Sequence, residues 1–413
     1  MSHVAVDGCG RAGLVAPDHA AVDADVAAAV GGVLAGELEW RVAACTSIDA
    51  VFGRDVAERV ASFTLSGGKR MRSQFFWWGL RACGPGTSAV PVAAGLRLAA
   101  ALELLQTCAL VHDDVMDGAS LRRGRPSVHS DIDGQYGSPR GNGSAEPFGR
   151  AAAILVGDLA LAWADDTVAG TDLPPAAGRE VRRIWQATRT EMVAGQYLDL
   201  HAQATGPVST AQAGRIACLK SALYSVARPL ELGAVLGGAD EATARALSAA
   251  ARCAGLAFQL RDDLLDVFGD PAGTGKSPGG DLRHGRPNQL LVLARERAEA
   301  DGDDRLLGHL DAAAGRRGTP EAELDRVREI ITANGSRAAV VSRIERLAER
   351  SARCLARAPG VAPAARDRLL DLFRRTAGLH PAEPAATRPD TCRDRDAGRT
   401  AAPDRPESEG GAR

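Results

Sequence analysis

Two aspartate-rich pentapeptides constrain the fold of this chain more than any other feature of its sequence. Asp113–Asp117 reads DDVMD and Asp262–Asp266 reads DDLLD, and each follows an apolar stretch with helical spacing. On a helix the first and fifth residues lie one turn apart, so the three aspartates of each motif share a face. Burying carboxylates without a partner is costly. The fold must therefore bring cations to both motifs.

The six carboxylates are predicted to form the two halves of one metal site. Mg²⁺ suits them because it prefers octahedral oxygen coordination and is usually held by a few carboxylates together with substrate phosphates. A solvated acidic helix face is the ordinary alternative for a single motif, but the apolar residues before both motifs argue against it. The predicted metal ligands are Asp113, Asp114, Asp117, Asp262, Asp263 and Asp266.

Composition and periodicity predict an all-α fold. Aromatic residues make up 4% of the chain and hydrophobic residues 45%, with many alanine-rich segments, which favours helix and permits a large core. Helical spacing recurs over residues 21–46, 69–83, 88–119, 149–170, 178–203, 210–236, 240–268 and 286–300, and in shorter windows from 320 to 377. We predict one helical domain over residues 21–380, with disordered ends at 1–20 and 381–413.

Gly-rich loops are predicted after both acidic motifs, over residues 134–149 and 269–285. Loops in such positions commonly act as lids over a metal-phosphate site. The formal net charge of −2 argues against a nucleic-acid partner. The eight cysteines form no Cys-x-x-Cys pair, which is typical of reduced cysteines in a cytoplasmic protein. Charged or polar residues interrupt the most apolar stretch, so we expect no membrane span.

Basic residues cluster where they predict phosphate binding. Gly67–Arg72 precedes a helical window, so backbone amides, the positive helix end and cationic side chains converge on one anion, although a basic turn at a helix start is an equally common alternative. Arg122 and Arg123 follow the first acidic motif, where guanidinium groups bind phosphate oxygens through two hydrogen bonds. Further donors are Lys220, Ser221, Lys276 and Arg286. This charge balance suits two diphosphates.

In their order along residues 60–300, these motifs resemble those of the trans-isoprenyl diphosphate synthases. The resemblance implies an isoprenoid-synthase-type bundle of long helices around a central cavity, a homodimer, and about three Mg²⁺ ions per site. It also implies isopentenyl diphosphate and an allylic diphosphate as the two substrates. Lys69, Arg72, Gln106 and Arg123 match the positions that bind isopentenyl diphosphate, and Arg122, Lys220 and Lys276 those that bind the allylic diphosphate. Arg70, Ser221, Gln259 and Arg286 are further predicted substrate contacts.

The chemistry that follows is the loss of diphosphate from the allylic substrate and attack by the double bond of isopentenyl diphosphate. Metal ions and cationic side chains stabilise the departing diphosphate. The released diphosphate takes the proton, so His112 is predicted to be a packing or supporting residue. The predicted catalytic residues are Asp113, Asp114, Asp117, Lys220, Asp262 and Lys276.

Two small residues before the first motif bear on product length. In the resembled family the fifth and fourth positions before this motif limit the prenyl tail, and here they are Cys108 and Ala109. Many members that make short products carry an aromatic ring there. Geranylgeranyl diphosphate is therefore the predicted product. Deeper residues remain candidates for stopping the tail, among them Leu105, Phe75, Phe76 and Trp163.

Alternative functions remain open at this point. A farnesyl or a longer-chain polyprenyl diphosphate synthase would carry the same motifs. A terpene cyclase is disfavoured because the second DDxxD motif and Gly67–Arg72 are both intact. A non-catalytic partner subunit typically lacks one acidic motif, whereas both are complete here. The chain departs from the family pattern at Ser73, where Pro is usual, and at Arg286, where Lys is common.

Overall fold

The computed structural model describes residues 18–83, 92–137, 148–270, 279–313, 315–316 and 319–379. Regular structure there is almost entirely helical, which confirms the all-α prediction. The helices are α1 His19–Ala24, α2 Val26–Ile48, α3 Ala50–Phe52, α4 Glu58–Leu65, α5 Met71–Cys83, α6 Val92–Asp117, α7 Val128–Tyr136, α8 Phe148–Ala169, α9 Pro175–Thr205, α10 Thr210–Ala217, α11 Arg228–Leu236, α12 Glu241–Phe268, α13 Gly280–His284, α14 Gln289–Asp301, α15 Asp304–Ala313, α16 Glu321–Ala333, α17 Ser336–Ala356 and α18 Pro363–Ala377.

Two π-helical segments and one β-hairpin shape the site. The π-helical segments π1, Gly53–Ala57, and π2, Cys218–Ala227, continue into α4 and α11. The strands β1, Leu121–Arg122, and β2, Arg125–Pro126, form a small antiparallel hairpin with Leu121 opposite Pro126. Wider π turns are rare and occur mostly at functional sites. Here π2 carries the predicted site residue Lys220.

Side-chain caps explain where several helices begin. Asp25 accepts a hydrogen bond from the Ala28 amide, and Asp240 accepts one from the Thr243 amide at the start of α12. Ser209 and Gln212 form a reciprocal capping box at the start of α10. Caps of this kind stabilise a helix start by about 1 kcal/mol. The Asp240 cap therefore helps to hold α12, which carries the second acidic motif.

Helix α6 lies in the core and presents the first acidic motif at its C-terminal end. It is long and apolar enough to cross a membrane, but 72% of its most apolar window is buried inside the protein. Its close packing on α8 depends on Gly157, where an added Cβ would lie 2.2 Å from Nε2 of His112. This contact, together with its charged C-terminal end, identifies α6 as a core helix.

Helix α12 spans two hydrophobic clusters. Its N-terminal part packs in the larger cluster with residues of α2 to α9, whereas Leu260 and Val267 pack in a smaller cluster with residues of α14, α16 and α17. The second acidic motif therefore rests on the smaller cluster. The described residues up to Leu379 belong to one compact unit. The domain limits of 21 and 380 stay predictions.

The limits of several helices and loops differ from the sequence predictions. Helix α1 begins at His19, two residues before the predicted start of the helical domain. Helical structure from 50 to 65, at 128–136 and at 304–313 had no predicted window. Helix α7 continues to Tyr136, past the predicted loop start at 134, and α13 forms within the predicted loop 269–285. Local caps explain some of these helices, since Asp49 accepts from the amides of Val51 and Phe52.

Candidate active site

The carboxylates of the first acidic motif are paired with basic side chains from later in the chain. Arg122 Nε donates to both carboxylate oxygens of Asp114 at 2.9 and 3.1 Å, and Arg122 Nη2 donates to Asp113 at 3.3 Å. The Asp114 side chain is only 1% exposed. This two-pronged guanidinium contact offsets part of the cost of burying the carboxylate, and burial still raises the pKa of Asp114 above its usual value.

Lys220 reaches the same motif from π2. Its ammonium group donates to Asp199 of α9 at 2.6 Å and to Asp113 at 3.4 Å. Helix α9 approaches π2 so closely that a Cβ atom added at Gly195 would lie 2.4 Å from the Lys220 amide nitrogen. Glycine at this position thus lets the two backbones meet and holds Lys220 between two carboxylates.

The second acidic motif lies at the C-terminal end of α12. Asp263 is 4% exposed and accepts hydrogen bonds from Gln259 Nε2 at 2.7 Å and from the Gln289 amide at 2.8 Å. Asp266 accepts from the amide of Asp281 in α13 at 2.9 Å. Asp262 is exposed. Within the motif, Asp263 is therefore buried and hydrogen-bonded, and the exposed Asp262 is close enough to contribute to the raised pKa of Asp263.

Arg286 links the two acidic motifs. It pairs with Asp117 of the first motif and, at 3.5 Å, with Asp281, whose amide bonds Asp266 of the second. The carboxylates of Asp117, Asp281 and Asp113 raise the pKa of Arg286 despite its burial. The residue that follows the second loop thus neutralises charge contributed by both motifs.

The carboxylates differ in how readily they ionise. Burial, together with the charge of Asp113, raises the pKa of Asp117 to about 6, and burial with the charge of Asp281 raises that of Asp266 to about 7. Burial raises the pKa of Asp263 well above its usual value. Burial also acts on Asp113, but Lys220, Arg122 and Arg286 lower its pKa overall. Burial is thus the main cause of the raised pKa values, and the charge of a neighbouring carboxylate adds to it.

This donor set fits a hard divalent cation, because its charged groups are carboxylate oxygens, and a bound cation would offset the burial and the mutual repulsion that raise the pKa values of Asp117 and Asp266. In the side-chain arrangement of the described residues, no three carboxylate, histidine or cysteine groups are close enough to bind one ion together. Arg122, Lys220 and Arg286 instead contact the carboxylates directly. Metal coordination therefore requires these basic side chains to move aside.

A second, cationic pocket lies beside the first motif. Arg72 donates to Ser225 at 2.7 Å and stacks over the Tyr224 ring at 4.4 Å, and Tyr224 donates to Gln106 at 2.7 Å. Burial and the neighbouring charge of Arg122 lower the pKa of Arg123. The polar side chains lining the pocket include Lys69, Arg70, Arg72, Glu103, Gln106 and Arg123. Such a cluster attracts an anion.

The hairpin of β1 and β2 connects the two sites. Arg122 turns toward Asp114, whereas Arg123 lines the cationic pocket and donates to the Ser66 carbonyl at 3.2 Å. Arg123 has a φ of 54°, in the left-handed region, and Gly124 follows with a φ of 75°. This backbone conformation directs two neighbouring arginine side chains to two different places, the first acidic motif and the cationic pocket.

Other predicted site residues have the following positions. Ser221 is half-buried next to Lys220, and Gln259 contacts Asp263 rather than the cationic pocket. Cys108 is 3% exposed and Ala109 is half-buried. Lys276 lies outside the described residues. His112 Nε2 lies 3.0 Å from the Ile154 carbonyl and therefore donates to it, so His112 anchors the end of α6 on α8.

Four residues of the site were not predicted as such. Glu103 is a buried carboxylate in the cationic pocket and accepts a hydrogen bond from Ser73 at 2.6 Å. Ser225 receives the Arg72 guanidinium. Asn288 donates to Asp281 at 2.9 Å and to the Asp263 carbonyl at 3.0 Å. The replacement of proline by Ser73 was a signal in the sequence, but its partner was not apparent.

Three comparisons relate this arrangement to known proteins. A sequence profile described as polyprenyl synthetase matches residues 54–331. The geranylgeranyl diphosphate synthase of Methanosarcina mazei is 31% identical over 233 residues, which cover 56% of this chain and 65% of the relative. The chain thus spans slightly less than two thirds of that relative's length.

Matches to two further relatives cover a larger share of those proteins. The farnesyl diphosphate synthase of Geobacillus stearothermophilus is 34% identical over 257 residues, which are 60% of this chain and 77% of the relative. The crystal structure of geranylgeranyl pyrophosphate synthase from Corynebacterium glutamicum, complexed with isoprenyl diphosphate and magnesium, is 35% identical with a TM-score of 0.78. That match covers 85% of this chain and 99% of the other.

Proposed function

Because the chain belongs to the polyprenyl synthetase family, we propose that it is a Mg²⁺-dependent trans-prenyltransferase. It condenses isopentenyl diphosphate head-to-tail with an allylic diphosphate and releases geranylgeranyl diphosphate as its main product. The observation that carries this proposal is the division of Arg122 and Arg123 between two anion sites. A reaction between two diphosphates requires two such sites side by side.

The first site would bind the allylic diphosphate. Bound Mg²⁺ would neutralise the diphosphate and promote its departure. Arg122, Lys220 and Arg286 are within reach of the same carboxylates. When substrate binds, these side chains turn from the aspartates to the phosphate oxygens and stabilise the charge that develops on the leaving group. The magnesium bound in the C. glutamicum structure supports Mg²⁺ as the metal here.

The second site would bind isopentenyl diphosphate through Lys69, Arg72, Gln106 and Arg123. The hydrogen bond from Tyr224 fixes the side-chain oxygen of Gln106, so its amide group is free to donate to phosphate. Departure of diphosphate breaks the allylic C–O bond, and the double bond of isopentenyl diphosphate then forms the new C–C bond. The released diphosphate takes the proton, which requires no base from the protein.

A product assay tests this proposal. Purified protein would be incubated with Mg²⁺, isopentenyl diphosphate and, separately, dimethylallyl, geranyl or farnesyl diphosphate, and the dephosphorylated alcohols sized. We expect geranylgeraniol as the main alcohol. Farnesol or longer alcohols would support the prenyltransferase assignment but show that the main product is not geranylgeranyl diphosphate. Absence of elongation from every primer, in folded protein, would refute the proposal.

We propose in addition that the enzyme is a cytoplasmic homodimer. Apolar side chains of α7 and α8 are exposed, with Ile154 at 46%, Leu155 at 57%, Tyr136 at 47% and Phe148 at 52%. Tyr136 and Phe148 also contact each other edge to face, with ring centroids 5.3 Å apart. Exposed apolar groups on adjoining helices mark interaction surfaces, and two-fold homodimers are the most frequent oligomers. A second copy of this chain is the proposed partner.

A further inference from the structure

A cluster of three side chains joins α8 to α9 below the first acidic motif. The indole Nε1 of Trp185 donates to Asp165 at 2.7 Å, and Arg189 pairs with the other oxygen of the same carboxylate. Trp185 is 4% exposed, whereas the side chains of Asp165 and Arg189 are 38% and 33% exposed. The ring thus forms the inner part of this Trp185 cluster, and the charged groups form its outer part.

Contacts at both ends of α8 establish how it lies along α6. Near the first motif, the His112 ring meets Gly157 and the Ile154 carbonyl. Near the other end, an added Cβ at Gly170 would lie 3.6 Å from Nη2 of Arg97. The two helices are therefore antiparallel. Interpolation between these contacts sets Asp165 opposite the stretch 102–104 of α6.

The rise per residue of an α-helix gives the distance of the Trp185 cluster below the first acidic motif. At 1.5 Å per residue, the Trp185 cluster lies roughly 15 Å below Asp113 and roughly 7 Å below Cys108. An extended chain advances about 1.2 Å per bond, so a geranylgeranyl chain, with about 15 bonds along its main chain, spans roughly 18 Å, and a farnesyl chain, with about 11, spans roughly 13 Å. The diphosphate would lie on the solvent side of Asp113. The tip of a geranylgeranyl chain therefore reaches the cluster, and that of a farnesyl chain does not.

Other large side chains considered from the sequence face different directions. Trp163 lies beneath the guanidinium of Arg41 from α2, with 5.7 Å from the Arg41 Cζ to the ring centroid. Phe75 stacks on Phe373 of α18 at 5.8 Å. By contrast, Trp185 contacts α8 from α9. Burial and the carboxylates of Asp158 and Asp165 raise the pKa of the Cys108 thiol to about 12, so the Asp165 carboxylate lies within electrostatic range of Cys108.

We propose that the indole ring of Trp185 is the floor that stops the growing prenyl chain, and that Asp165 and Arg189 are positioning residues that hold the ring. This inference rests on the proposed function. The ring resists a longer chain by its volume, since protein interiors are closely packed. Displacing it would also leave the buried indole N–H without its carboxylate partner, which adds a free-energy cost.

Replacement of Trp185 tests the proposal directly. Trp185→Ala and Trp185→Leu would be compared with the wild type for the lengths of their product alcohols and for the rate of the first condensation. We expect the main product of Trp185→Ala to lengthen by at least one prenyl unit, with the first condensation rate within about threefold of wild type. Trp163→Ala is the matched control, because it removes an equally buried indole on the α2 side, and its product should not change.

The outcomes separate the two proposals. If the folded Trp185→Ala protein makes the wild-type product, Trp185 is not the floor, and the prenyltransferase function is unaffected. If Trp185→Ala does not fold, Trp185→Leu decides in the same way. Equal lengthening in Trp163→Ala also overturns the floor, since the effect would then not depend on the α9 side. If the wild-type protein elongates no primer, both the proposed function and the assignment of Trp185 as the floor are refuted.

Discussion

At the residue scale, the basic partners of the first acidic motif offset the burial of its carboxylates to different extents. Asp113 receives both Lys220 and Arg122, and its pKa is lowered, whereas Asp117 has a raised pKa although Arg286 contacts it. Two carboxylates one helical turn apart thus differ in pKa, because burial and the charge of Asp113 act on Asp117, whereas Lys220, Arg122 and Arg286 outweigh the burial of Asp113. Removal of Lys220 or Arg122 would therefore destabilise the whole buried motif.

Asp113→Ala is expected to lower kcat by roughly 10²- to 10³-fold, because it removes a proposed Mg²⁺ ligand and a partner of two cations. The helical fold should persist, since Asp113 contacts side chains rather than core groups. Steady-state kinetics with circular dichroism would measure both. Asp172→Ala, an exposed aspartate away from the motif, is the control. A kcat near that of the wild type would refute the metal assignment.

Gly157→Ala tests the packing of α6 on α8. The added methyl would lie 2.2 Å from Nε2 of His112, so we expect a loss of about 1–3 kcal/mol in unfolding free energy. Gly36→Ala is the control in α2, where an added Cβ meets nothing within 4 Å, and should gain about 0.5–1 kcal/mol. Urea unfolding would compare them. Equal effects at both positions would contradict the close approach.

At the scale of elements, the long helices were predictable because each has its own periodicity. Helix α12 was predicted over 240–268 and extends over Glu241–Phe268, and α9 was predicted over 178–203 and extends over Pro175–Thr205. The segment from 50 to 65 was missed because α3, π1 and α4 join there, and a π turn breaks the 3.6-residue spacing. Periodicity thus detects continuous helices and misses composite ones.

The candidate site shows the same limit. Lys69 and Arg72 stand in one short motif, and the structure brings both into one pocket. The partners of buried groups are distant in sequence, as with Ser73 and Glu103 or Trp185 and Asp165. Such pairs depend on how helices pack, which a single sequence does not encode locally. Motifs therefore predicted the charged residues, and packing determined what supports them.

The position of Cys108 on α6 makes a second test of product length. Cys108→Phe is expected to shorten the main product, because an aromatic ring roughly 7 Å above the Trp185 cluster would meet the tail earlier. Product alcohols would be sized as for the wild type. Cys108→Ala is the matched control and should leave product length unchanged. An unchanged length in Cys108→Phe would show that this face of α6 does not border the tail.

At the scale of the whole molecule, the exposed apolar side chains of α7 and α8 govern assembly. Leu155→Asp is expected to convert the proposed dimer to monomer, because a carboxylate in the interface must be desolvated without a partner. Light scattering after size exclusion would report the mass. Leu121→Asp, at a leucine 61% exposed in the hairpin, is the control. A wild-type monomer, or a dimer unaffected by Leu155→Asp, would contradict the proposed interface.

The hairpin also has a consequence for how the two substrates bind. Arg122 and Arg123 share one peptide unit, and Arg123 is held in a left-handed conformation. We expect a diphosphate that draws Arg122 away from Asp114 to change the setting of Arg123 in the neighbouring pocket as well, because the two residues share the backbone of the hairpin turn. The two binding free energies are then linked, and linkage is reciprocal. Each substrate is therefore expected to alter the affinity of the enzyme for the other.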